Sequence, residues 1–187
     1  MKLRLFTLII LSLTFLANRG GRNAPAAGAP VDGGTNCSQC HSGGNFSASV
    51  DITTNIPVGG YQLDTDYTIT VTVNETGASR HGFALTAEKD SDNSKVGTLI
   101  TGSNTKLVNS NGNITQSNAD AGNSWTFTWK SPATDEGTVT FYAAGNAANG
   151  NGGAFDGSDQ TVTANTSFVS LSTVNAIDLQ FDMYPNP

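Results

Sequence analysis

The chain is 187 residues long and carries 9 Lys and Arg against 15 Asp and Glu, for a net charge of -6. With no basic cluster to meet phosphates, that balance disfavours nucleic acid as a partner. Charged residues make up only 13% of the chain, and Asn, Thr, Ser and Gly dominate, as suits an exported surface protein.

Residues 1–17 read as a secretory signal. Lys2 and Arg4 form a positive start, and Leu5 to Leu16 form an apolar run of twelve residues. A bilayer needs about 20. Cleavage after Ala17 would put the large Phe15 at the position where a small residue is favoured. A later cut within residues 18–27, or an uncleaved anchor, stays open. Once the signal is removed, no membrane span is expected. Residues 18–36 are rich in Gly, Ala and Pro, lack hydrophobic periodicity and read as an exposed linker.

Residues 37–44 hold the chemistry. Cys37-Ser38-Gln39-Cys40-His41 contains both cysteines of the chain and one of its two histidines. Cys-x-x-Cys-His is the attachment signature of a c-type haem. The two thiols would add to the vinyl groups as thioethers, and His41 would be the proximal ligand of the iron. Export agrees with this, because bacterial haem c is attached outside the cytoplasm. The sixth-ligand candidates are His81, at the head of a strand, and Met183 in the tail. Two other readings remain open. Cys37 and Cys40 form a short disulfide, or Cys37, Cys40, His41 and His81 hold zinc. Small cytochromes c open a packed helix at this motif, whereas no long apolar-periodic helix is legible here.

Residues 45–172 read as all-β. Phe46, Ala48, Val50 and Ile52 alternate with polar residues, as do Tyr67, Ile69, Val71 and Val73. Phe83, Leu85 and Ala87 carry a third strand, and Val96 and Leu99 a short fourth. Leu107, Val108 and Ile114 mark a weaker, Asn- and Gly-broken stretch. Trp125, Phe127 and Trp129 give one aromatic face, expected in the core. Val139, Phe141 and Ala143 follow, and a last strand region spans residues 160–171. Seven or eight short strands at this spacing predict an immunoglobulin-like antiparallel β-sandwich, preceded by the short irregular Cys segment. No Ser-His-Asp or paired-carboxylate site is legible. The loop at residues 150–159 offers oxygen ligands for Ca²⁺, but its spacing matches no EF-hand.

Residues 124–132 (SWTFTWKSP), 137–152 (GTVTFYAAGNAANGNG) and 82–87 (GFALTA) resemble a reelin-type, or Reeler-like, domain. The chain is similar to bacterial surface proteins of the choice-of-anchor V group, which pair such a domain with an N-terminal Cys-x-x-Cys-His segment. The resemblance covers about residues 30–170. It implies a Reeler-like sandwich and suggests haem at Cys37, Cys40 and His41. After a linker that begins at residue 173, residues 181–187 (FDMYPNP) resemble the opening of the C-terminal sorting domain of type IX secretion in Bacteroidetes. That domain normally continues further.

Together these readings favour an exported protein, secreted or on the cell surface after periplasmic transit. It would move electrons through covalent haem c to a redox partner protein or small electron carrier. The alternative is an extracellular β-sandwich adhesion or ligand-binding module with a cell-surface ligand, in which Cys37–Cys40 is only a disulfide.

Overall fold

A computed structural model describes residues 20–118, 122–153 and 157–171. Nine strands are found among them: β1 (Ser49–Thr54), β2 (Asp66–Asn74), β3 (Arg80–Lys89), β4 (Thr98–Ile100), β5 (Thr105–Val108), β6 (Asn113–Gln116), β7 (Ser124–Lys130), β8 (Val139–Ala148) and β9 (Gln160–Phe168). They form two antiparallel sheets, one of order β1-β2-β7-β4 and one of order β5-β6-β3-β8-β9. The expected sandwich is thus observed. The broken stretch around Leu107 and Ile114 resolves into two strands joined by a tight turn.

Period-two alternation puts Tyr67, Ile69, Val71 and Val73 of β2 inside, beside Trp125, Phe127 and Trp129 of β7. Opposite them stand Phe83, Leu85 and Ala87 of β3 and Val139, Phe141 and Ala143 of β8. The aromatic residues interlock between the sheets. Phe83 stacks on Trp125 at 4.6 Å, and Trp129 meets Phe141 edge-on at 5.0 Å. The Trp129 indole donates to the Val96 carbonyl at 3.1 Å, so this buried N–H is satisfied. Gly97, at φ 71°, lies against that indole, and any Cβ there would strike the ring.

β3 and β8 are buried on both faces, which simple alternation does not predict. Residues 20–41 supply much of the second cover, and the β5–β6 turn covers Thr86. The sequence reads residues 18–36 as an exposed linker; the described part instead lies as a strap across the outer face of the five-stranded sheet. Ala26, Ala27 and Ala29 are buried, and Ala26 and Ala27 pack on Ala84 of β3. Small side chains let the strap approach closely. It is closed on itself by Gly28 N–H donating to the Thr35 carbonyl at 2.8 Å and Gly34 N–H to that of Ala29 at 3.0 Å. Proline starts a single 3-10 turn, Pro30–Asp32, on its far side.

Candidate functional site

The strap brings the Cys segment onto the sheet. Asn36 caps a second 3-10 turn, Cys37–Gln39, its side chain accepting from Ser38 N–H at 2.8 Å. The N–H groups of Cys40 and His41 both donate to the Cys37 carbonyl, at 3.2 and 2.9 Å. Both cysteines are free thiols. The Cys37 side chain packs with Ala26, Ala27, Ala84 and Tyr142 between strap and sheet. Burial there pushes its thiol up to about 11.

His41 anchors the end of the strap. Its Nδ1 lies 2.5 Å from Oδ2 of the buried Asp159, whose Oδ1 accepts from Asn149 N–H at 3.0 Å. Thr161 Oγ1 donates to the His41 carbonyl at 3.0 Å. His81 sits apart from this arrangement, its Nε2 3.0 Å from Glu75 Oε1. The N–H of Ala78 and then the His81 ring hold the Glu75 carboxyl below its usual range. Among the described residues, no group of three or more His, Cys, Asp or Glu side chains could hold a metal ion, so the four-ligand zinc set is not assembled.

These placements correct the electron-transfer reading of Cys37, Cys40 and His41. A thioether pair needs both sulfurs turned out toward a porphyrin edge, whereas the Cys37 thiol is turned in against alanines. The segment is part of the sandwich's covering layer.

For the loop considered for Ca²⁺, residues 154–156 lie outside the described residues. Within it, the Asn151 side chain caps Gly153 N–H, and Asp159 is committed to His41 and Asn149. The signal segment, Met183 and the sorting-like residues 181–187 also lie outside the described residues. No described helix is long and apolar enough to cross a membrane.

A groove of about 540 Å³ at the β5–β6 edge has no signature in the sequence motifs. Leu99 and Leu107 supply its apolar surface, and Asp32, Lys95, Thr98 and the turn at residues 109–112 its polar rim. Three consecutive residues of that turn, Asn109, Ser110 and Asn111, have φ of 53°, 52° and 67°. Left-handed backbone is unfavourable for residues with a Cβ, and Asn tolerates it best. The Asn-Ser-Asn-Gly run was the available signal. Its partners Asp32 and Lys95 are distant in sequence, so the groove could not be assembled without the fold.

The Reeler domain family model matches residues 37–146, more than half of the chain. The chain is similar to the crystal structure of a human F-spondin reeler domain fragment, at 17% identity over 72% of this chain and 98% of that one, with a TM-score of 0.50. It is likewise similar to the crystal structure of the Reelin-N domain of F-spondin, at 14% identity over 73% and 96% and the same TM-score of 0.50. At such identities the likeness shows the fold alone. No curated protein matches the chain. The matched stretch begins at Cys37 and runs through both sheets, and the chain belongs to the Reeler domain family.

Proposed function

We propose that this protein is an exported β-sandwich binding module working outside the cytoplasm, and that the groove at the β5–β6 edge takes a polyhydroxylated, glycan-type ligand. The observation that carries this reading is the turn at residues 109–111. Three left-handed residues hold polar side chains at the mouth of a groove floored by two leucines. Left-handed backbone at consecutive residues is the geometry of a tight hairpin turn, and here it gathers that turn's polar groups beside the groove. Amide, hydroxyl and charged groups around a small apolar floor match the mixed faces of a sugar. In an oxidising exterior, Cys37 and Cys40 lie one turn apart and close to a disulfide when an external disulfide oxidant takes up their two electrons and two protons.

The test is a glycan array probed with the secreted chain, followed by titration of the best binder against Ser110→Ala and Asn111→Ala. Each variant is expected to weaken binding by about tenfold, the worth of one lost hydrogen bond. Binding that neither variant alters, or an array with no binder, would overturn the assignment of the groove.

A further inference from the structure

A second cluster, at the inner wall of the groove, joins residues far apart in sequence. Lys95 Nζ donates to Asn113 Oδ1 at 2.5 Å and to Asp32 Oδ2 at 3.2 Å. Asn113 is fully buried, at 0% exposure. Its Nδ2 donates to the same Asp32 Oδ2, at 3.3 Å. Asn109 Nδ2 donates to Asn113 Oδ1 at 2.8 Å. The Asp32 side chain is 8% exposed. The strap turn that carries it is pinned by Val31 N–H donating to Oε2 of the buried Glu88 at 3.3 Å. Gly112 leaves room for the lysine stem: a Cβ there would stand 3.1 Å from Lys95 Nζ and closer still to Cδ.

The groups that amide exchange needs lie within hydrogen-bond reach of one another. The amine lies against the carbonyl that it would attack, and such fixed proximity replaces a collision. A neutral N–H donor polarises the carbonyl oxygen. A single carboxylate oxygen touches both the attacking and the leaving nitrogen, so it can carry a proton from one to the other. From this geometry we propose that Lys95 and Asn113 join in an intramolecular isopeptide bond, with Asp32 as the proton carrier.

The step balances without an oxidant or co-reactant. Asp32 takes a proton from the Lys95 ammonium, and the free amine attacks Asn113 Cγ. Asn109 holds the developing oxyanion. The Cγ–Nδ2 bond breaks as Nδ2 is protonated through Asp32, and the second Nζ proton passes by the same carboxylate to the departing ammonia. An Nζ–Cγ amide remains, ammonium departs, and Asp32 is a carboxylate again. The bond ties the β3–β4 connection, where Lys95 bridges Glu88, to the start of β6. That connection carries the chain from one sheet to the other. A covalent staple there suits a module exposed to force and proteases. The proposal stands independently of the glycan reading, because its readout is mass and not binding.

The test is the intact mass of the secreted full chain after reduction and alkylation, with a peptide map. The expected mass is lower than that of the unlinked chain by one ammonia, about 17 Da, with a branched peptide joining Lys95 to Asn113. Asp32→Asn and Lys95→Met should restore the unlinked mass while leaving the β-sheet circular dichroism in place. A wild-type chain at the unlinked mass would overturn the proposal without reference to any variant. So would loss of ammonia without a branched peptide, the mark of a succinimide at Asn111-Gly112. A link from Lys95 to Asp32 with loss of water would overturn it as well. A branched peptide that persists in Asp32→Asn would remove Asp32 from its role.

Discussion

The outer faces of the two sheets differ. On the four-stranded sheet, β2 and β7 present hydroxyl pairs to solvent: Thr70 with Thr126 and Thr72 with Ser124, each at 2.9 Å. On the five-stranded sheet, the equivalent face holds Ala84, Thr86 and Glu88, all buried under the strap or the β5–β6 turn. One sheet is finished by solvent, the other by residues 20–41 of the chain. A short strap delivers Asp32, and with it one wall of the groove, to the sheet edge.

Substitutions along this contrast should have graded effects. Trp129→Ala empties the shared core and should cost about 3–5 kcal/mol in chemical denaturation. Lys95→Met removes the proposed staple, which closes a loop from residue 95 to residue 113. By the loop-closure relation it should cost about 3 kcal/mol, or a melting-point fall of about 10 °C for a chain of this size. Ala84→Leu wedges the strap away from β3 and should cost about 1–3 kcal/mol, with faster proteolysis confined to residues 20–41.

Glu88→Gln has an effect bounded by pH. Burial foremost, then the neighbouring Asp32 charge, holds the Glu88 carboxyl above its ordinary range despite the Val31 hydrogen bond and Lys95. A raised acid binds its proton more tightly in the folded state, so wild-type stability falls as pH rises from the unfolded value through the folded one. Glu88→Gln removes that fall. It should match wild type near pH 4 and exceed it at pH 8 in paired denaturation curves. Thr70→Ala, on the solvated face, should change stability by less than about 0.5 kcal/mol.

The same contrast sets what the sequence could reveal. Tyr67 to Val73 and Trp125 to Trp129 sit on a sheet with one wet face, so strict alternation exposes them as strands and as core. β3 and β8 are covered on both sides, and the strap that covers them has no periodicity of its own, because packing by alanine and glycine leaves no hydrophobic pattern. Cys37 to His41 drew attention by residue type, yet type alone cannot say that the Cys37 thiol faces inward or that His41 finds Asp159, 118 residues away. Lys95, Asn113 and Asp32 are unremarkable polar residues in sequence. Only the pairing of β6 with β3, the bridge from Lys95 to Glu88 and the strap laid beside them set them in contact.

The groove and the Lys95–Asn113 pair both depend on the strap being part of the folded domain. Hydrogen exchange of the full chain, resolved by residue, tests this directly. The amides of Gly28, Gly34 and Cys40, all hydrogen-bonded within the strap, should exchange far more slowly than an unstructured chain, with protection falling across the segment in Ala84→Leu. Exchange of these amides at the unstructured rate, while Leu85 in β3 stays protected, would show a loose tail, and would remove Asp32 from both the groove and the Lys95–Asn113 pair.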